Sequence, residues 1–345
     1  MSDDPTRTNI ERWILRHHPP RKSTSAELMY ERMESQSGRC LPVLYEPLDH
    51  TKRSHWHDEA LIGAFAHAMG DATTVLDVGP GDGWPALRIA DRFEEVVGID
   101  PSPRRVRVQR ENAERLGIDN VEFLEMDVMA MSFDDGSFGG VAAASSVEQS
   151  EDPERALREI FRVLEPGGTL AMIFEDYETC LGDIEGDEEM WGEVAEDEAV
   201  VFYKCRRKSP PRETWYGLFL DSAAVSADGA LAKRLADLRD ESPDAAGLGL
   251  LDELSPLVRE TRSFELDHLT SSSVDTLLEA IGFVRIRHAD HRMPELLAFF
   301  DAASKAGKLG PNGPVLDAVA EVFGISAVER AGSGPGDFVI ASKPG

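Results

Sequence analysis

In this 345-residue chain, the residues whose types and spacing suit chemistry stand at the ends of short apolar runs. The first run, Val75-Leu76-Asp77-Val78, passes into Gly79-Pro80-Gly81-Asp82-Gly83 and then into Trp84-Pro85-Ala86-Leu87-Arg88-Ile89-Ala90. That is the order of a strand, a tight turn and a helix. Glycines at 79, 81 and 83 lack a Cβ, so the turn can take positive φ and a ligand can approach its backbone. Pro85 suits the first turn of a helix. A helix start offers free N–H groups and a positive dipole end to an anion. A second run, Val96-Val97-Gly98-Ile99, ends in Asp100, where a carboxylate can accept both hydroxyls of a ribose. Asp127 and Val128 follow a third run, and Ser145-Ser146-Val147-Glu148-Gln149 follows a fourth. Glu148 and Gln149 are the candidate catalytic positions. Glutamine cannot act as a general base near neutral pH, so Glu148 serves as a base or as a ligand contact.

These residues need elements that hold them together. Residues 71–175 read as alternating strands and helices, with strands near 74–78, 95–99, 121–125, 139–145 and 168–174 and helices near 84–93, 102–116 and 153–164. Such alternation demands a parallel sheet with helices on both faces. Ligands then bind outside the carboxyl ends of the strands, where the strand order reverses. Further strands are expected at 283–287 and 337–343. Asp152 and Pro153 read as the cap and first residue of a helix.

The pattern Asp77-x-Gly79-x-Gly81-x-Gly83 with Asp100, continued through GIDPSPRRV, NVEFLEMDVMAMSFDDGSFGGV and DPERALREIFRVLEPGGTL, resembles the class I S-adenosylmethionine-dependent methyltransferases of the ubiquinone/menaquinone type. The likeness covers about residues 70 to 175. It implies an α/β, Rossmann-like, seven-stranded, mostly parallel sheet with helices on both faces and a reversed last strand. It implies S-adenosylmethionine as cofactor and methyl transfer to a small molecule. It also implies that Asp77, Gly79, Pro80, Gly81 and Gly83 hold the methionine end, Asp100 and Pro101 the ribose, and Asp127 and Val128 the adenine, with Ser145 to Gln149 facing the methyl group. Many relatives of this type carry a histidine where this chain has Gln149. Three other readings are weighed beside it. One is an arsenite-type enzyme using cysteine thiolates, and another is an S-adenosylmethionine-binding regulator without catalysis. The third, a nicotinamide-dependent enzyme, conflicts with Trp84 at the third glycine of G-x-G-x-x-G.

Composition narrows the partners. The net charge of −28 argues against nucleic acid and anionic membranes, which need basic patches. No apolar run approaches the ~20 residues of a membrane span. Cys40, Cys180 and Cys205 share no ligand spacing, so no metal is expected, and a reduced cytoplasmic setting fits. The polar N-terminus has no signal-peptide pattern.

Four segments are expected. Residues 1–70 form an N-terminal helical cap. Within it Tyr45, His55, Trp56 and His57 either line a pocket or, as the blander alternative, Trp56 packs and the histidines lie exposed. Residues 71–175 form the cofactor-binding core. Residues 176–268 form an inserted lid or substrate region. Its acidic run, 176–198, reads as a solvated helix or loop, and AVVFYKCRRK and ETWYGLFLD read as a hairpin. The basic cluster Lys204, Arg206, Arg207, Lys208 and Arg212 either grips an anionic head group or pairs with that acidic run. Residues 269–345 return to the core around a helical insertion at 290–335. The hairpin either pairs edge to edge in a homodimer or serves a monomer as a lid.

Overall fold

The computed structural model describes residues 6–29, 52–240, 243, 245–309, 313–334 and 336–345. Its strands, in chain order, are β1 (Arg21–Lys22), β2 (Thr74–Val78), β3 (Glu95–Asp100), β4 (Val121–Glu125), β5 (Phe138–Ala144), β6 (Leu164–Ile173), β7 (Gly186–Val194), β8 (Ala199–Arg207), β9 (Arg212–Leu220), β10 (Arg239–Asp240), β11 (Val258–Asp267), β12 (Val284–Ala289) and β13 (Phe338–Ser342). They form two sheets, one in each of two units.

The larger unit takes the described residues among 52–176 and 269–345. Its seven strands run in the order β12-β13-β6-β5-β2-β3-β4. All neighbours are parallel except β13, which is antiparallel to both β6 and β12. The chain builds outward from β2 through β3 to β4, then returns to β5 on the other side. The order therefore reverses between β2 and β5, the place where open α/β sheets bind ligands. Both faces are buried, as a parallel sheet requires. Val75, Val96, Ala142 and Ala171 face one apolar cluster with Trp56 and Phe65. Leu76, Val97, Val141 and Leu170 face the other with Ile160 and Leu278. On the first face the Arg53–Met69 helix meets the Gly313–Glu329 helix at two glycines. A Cβ on Gly324 would stand 1.8 Å from the Ala60 carbonyl oxygen, and one on Gly63 2.7 Å from that of Glu321.

The second unit takes Tyr177–His268 with described residues 6–29. Its six strands run β1-β11-β9-β8-β7-β10, antiparallel except for β1 beside β11. One face packs Ile10 and Ile14 of the Asn9–His17 helix against Val201, Tyr203 and Leu218. The other packs Leu28 against Phe202, Trp215 and Phe264.

Three expectations change here. The helices expected as one N-terminal cap divide: Asn9–His17 and Ser25–Leu28 go with the antiparallel sheet, and Arg53–Met69 goes with the parallel one. The acidic run is not a solvated helix or loop throughout, because Gly186–Val194 is strand β7. Two of its acids meet bases on β8: Asp187 faces Arg206 and Glu189 faces Lys204 in register. The hairpin of β8 and β9 is real, but both strands are interior, flanked by β7 and β11. It has no free edge through which a second copy could pair.

Candidate active site

The glycine turn after β2 adopts the expected backbone, with φ of +67° at Gly79, +60° at Gly81 and +118° at Gly83. Gly79 also lies against the loop after β5: a Cβ there would stand 2.6 Å from the Ser146 Cβ. The turn thus brings the ends of β2 and β5 together at the reversal point. The expected free helix start is corrected. The helix after the turn is a single turn, Ala86–Ile89, continued by a 3-10 turn, Ala90–Arg92. Its first donors are already used: Ala86 N–H donates to Asp77 Oδ2 at 2.7 Å, and those of Leu87, Arg88 and Ile89 reach Gly83 and Pro85 carbonyls. An anion finds no vacant helix terminus there.

Asp77 lies fully buried inside β2, level with Gly98 on β3 and Ala142 on β5. The small neighbours leave space for its carboxyl. Oδ2 holds the Ala86 N–H, while Oδ1 is buried without a hydrogen-bond partner. Burial pushes this carboxyl up to about 8, against the pull of the Ala86 N–H and with a further push from Asp100. Desolvation disfavours the ionised form, and among the described residues no cation stands by to restore it.

Asp100 ends β3 and is buried, with Oδ1 accepting from Ser102 N–H at 2.9 Å. Pro101 beside it is exposed. The Pro103–Leu116 helix that follows braces the glycine turn. Gln109 Nε2 donates to the Gly81 carbonyl at 2.9 Å, and Asn112 Nδ2 to that of Asp82 at 2.7 Å. Gln109 Oε1 is buried without a partner. Arg105 lies against Gly81, its Nη1 3.0 Å from where a Cβ would be. Sequence reasoning missed these three. Their signal was present: polar residues at 105, 109 and 112 follow helical spacing on one stripe.

Asp127 is exposed, and its Oδ1 caps the short Val128–Ala130 turn by accepting from Met129 N–H at 2.8 Å. Val128 is buried. Across the sheet, Ser145 takes φ +51°, a left-handed conformation rare outside glycine, and its N–H donates to Ile173 O. Ser146 Oγ is buried without a partner. Glu148 is completely buried; Oε1 accepts from Glu175 N–H at 3.0 Å and Oε2 has no partner. Burial pushes its carboxyl up to about 7, opposed by backbone N–H groups. Gln149 is half-buried beside it.

The proposed pocket-lining histidines do other work. His55 is buried, with Nε2 2.8 Å from Asp317 Oδ1, so it is not the exposed residue of the blander reading. Trp56 is buried against Phe300, and His57 Nε2 donates to His291 O at 2.8 Å. Tyr45 and Cys40 lie outside the described residues.

A parallel sheet with its order reversing beside a glycine turn, and acids at the strand ends, defines the nucleotide-cofactor-binding class of α/β folds. Comparison with known proteins takes this further. Residues 76–172, from β2 to β6, match the family described as a methyltransferase domain. A demethylmenaquinone methyltransferase of Thermus thermophilus is 41% identical over 101 residues, 29% of this chain and 46% of that one. A sterol 24-C-methyltransferase of Aspergillus fumigatus is 38% identical over 123 residues, 34% of this chain and 31% of that one. An arsenite methyltransferase of Aquipseudomonas alcaligenes is 28% identical over 203 residues, 51% of this chain and 54% of that one. The chain therefore spans about a third to a half of the length of these relatives. Among solved structures, an amino pentose methyltransferase from Micromonospora echinaspora with S-adenosylmethionine bound is 18% identical with a TM-score of 0.41, covering 68% of this chain and 85% of that one.

The domain match implies S-adenosylmethionine as cofactor. The residues fit it. The cofactor is rich in donors (an ammonium, ribose hydroxyls and an adenine amino group), and Asp77 Oδ1, Gln109 Oε1 and Glu148 Oε2 are buried acceptors without partners. Among the described residues no helix is long and apolar enough to cross a membrane.

Proposed function

We propose that this protein transfers a methyl group from S-adenosylmethionine to a small-molecule acceptor. The observation that carries this reading is the set of buried, unpartnered acceptors on β2, on the helix after β3 and on the loop after β5: Asp77, Gln109 and Glu148. Bound there, the cofactor supplies a methyl group on a sulfonium centre, already reactive toward nucleophiles, so the protein's work is positioning and desolvation. Asp77 and the turn Gly79-Pro80-Gly81-Gly83 hold the amino-acid end. Asp100, with Pro101 beside it, accepts the ribose hydroxyls. Asp127, whose cap engages one of its two oxygens, takes the adenine amino group beside Val128. Ser145, Glu148 and Gln149 close the methyl side. With its carboxyl held up to about 7, Glu148 can take a proton from an acceptor near neutral pH. The net charge of −28 disfavours a nucleic-acid acceptor, and a cytoplasmic setting fits Cys180 and Cys205, neither of which is in a disulfide among the described residues.

The arsenite-type alternative is weakened at Cys205. That thiol is buried in β8, and burial, with Glu11 nearby, pushes it well above the usual thiol range. A thiophilic site needs thiolate.

Calorimetric titration of S-adenosylmethionine and S-adenosylhomocysteine into wild type and Asp100→Ala tests the proposal. Binding to wild type that weakens at least tenfold in the variant is expected. A folded wild type that binds neither compound would overturn it.

A further inference from the structure

We infer that Asp290, His291 and Asp337 form a binding site for one divalent first-row transition metal ion of the zinc class. The first two follow β12, and the third precedes β13. Because β12 and β13 are antiparallel neighbours, the end of one and the start of the other coincide, with Ala289 opposite Phe338. Forty-six residues of chain thereby close onto one point. A ligand atom from each residue lies within 4.8 Å of the other two. Bonds of ~2.1 Å to nitrogen and oxygen place tetrahedral ligands about 3.4 Å apart, so side-chain rotations of about an ångström complete the site.

The state of His291 is the second observation. Its Nδ1 is buried with no aligned hydrogen-bond partner, although Asp337 Oδ2 is only 2.6 Å away. A nitrogen and a carboxylate oxygen this close can share a cation in place of the proton between them. The backbone here is held on both sides. His57 Nε2 donates to His291 O at 2.8 Å, His291 N–H donates to Asp337 Oδ1 at 3.1 Å, and Phe174 N–H donates to Asp337 O at 3.1 Å. Such bracing is how proteins orient metal ligands. Two carboxylates and an imidazole suit zinc and its neighbours better than thiophilic ions or magnesium.

Asp290 has one competitor. Arg292 donates to it from Nε at 2.8 Å, from Nη2 at 3.2 Å and from its backbone N–H at 3.0 Å. The Arg292 side chain is 61% exposed, so it can swing into solvent when an ion arrives. Three protein ligands leave a coordination position open, as in catalytic rather than structural zinc sites. The site stands at the carboxyl edge of the sheet, where β13 and β6 separate it from the loop after β5. Two strand spacings make about 10 Å. A substrate bound to the ion through one group would place another part of the same molecule over Ser145 to Gln149. That role rests on the methyl-transfer reading; metal binding does not.

Tag-free, metal-stripped protein is dialysed against Co²⁺, whose visible absorption reports an N/O-ligated ion, and then against Zn²⁺. One equivalent is expected to bind, Zn²⁺ displacing Co²⁺. His291→Ala and Asp337→Asn should each weaken binding at least tenfold, and Arg292→Ala should tighten it. In wild type, Zn²⁺ should protect His291 from diethyl pyrocarbonate in peptide mass mapping, a readout independent of whether the variants fold. No bound metal, binding that both variants leave unchanged, or an unprotected His291 overturns the site. These results stand whether or not S-adenosylmethionine binds.

Discussion

The two sheets treat charge in opposite ways. Along the antiparallel sheet, acids and bases alternate and meet across strands: Lys204 with Glu189 at 3.0 Å, Arg206 with Asp187 at 2.7 Å, Arg212 with Asp267 at 2.7 Å. Even its most buried acid, Glu11, accepts from Arg207, from Tyr216 Oη at 3.2 Å and from Thr8 N–H at 2.9 Å. At the carboxyl edge of the parallel sheet, Asp77 and Glu148 are buried with no cationic partner among the described residues, and each leaves one oxygen unbonded. Buried polar groups normally find partners. A sheet that satisfies its charges internally is complete as a scaffold, whereas one that leaves acids unmatched is prepared for a ligand carrying the missing donors. In the basic cluster at 204–212, Lys204, Arg206, Arg207 and Arg212 pair with acids, and Lys208 donates to the Gly182 carbonyl.

The largest test of this contrast is Glu11→Ala. It strands the Arg207 guanidinium, whose side chain is 16% exposed, and should cost about 3–5 kcal/mol in urea unfolding. A loss below about 1 kcal/mol would mean that the antiparallel sheet does not depend on its pairing. The next test concerns pH. Unfolded, the Asp77 carboxyl titrates near 3.8; folded, it is held up to about 8. Between those values the native chain keeps a proton that the unfolded chain has released, so stability falls as pH rises. Glu148, moved from 4.5 to about 7, acts with the same sign. Asp77→Asn and Glu148→Gln should therefore melt near wild type at pH 4 and about 2–4 °C above it at pH 8. Equal melting temperatures at both pH values would show that these acids are not held neutral. The smallest effect is expected for Lys204→Met, a partly exposed pair worth about 0.2–1 kcal/mol by thermal melting.

Much of the parallel sheet was legible because its signals are local. Strands β2, β3 and β5 are largely apolar, β4 carries two glutamates, and each leads to a residue with positional meaning: Gly79, Asp100, Asp127 or Ser145. The antiparallel sheet was less so. In β7 the consecutive acids Asp187, Glu188 and Glu189 run into Met190 and Trp191, which are buried on opposite faces, and β11 mixes charges into both faces. Half-buried strands of this kind are defined by the partners across from them, which local pattern does not reveal. Within the site, the glycine turn and Asp100 were visible as spacing. Gln109 and Asn112 required knowing which stripe of their helix faces the turn. The meeting of His291 with Asp337 exists only through strand pairing.

The two glycines where the Arg53–Met69 and Gly313–Glu329 helices cross bear on how the chain can be divided. One lies before the first strand of the parallel sheet and the other just before the last, so the segment matching the methyltransferase domain is bracketed by a clasp whose halves are 261 positions apart. With a carbonyl 1.8 Å from where a methyl would stand, the clasp closes by backbone shape rather than by side-chain fit. A fragment cut to residues 76–172 would therefore lose more than its two outer strands. It would lose the two clasped helices that pack on one face, which makes the matched middle of this chain hard to lift out as a module.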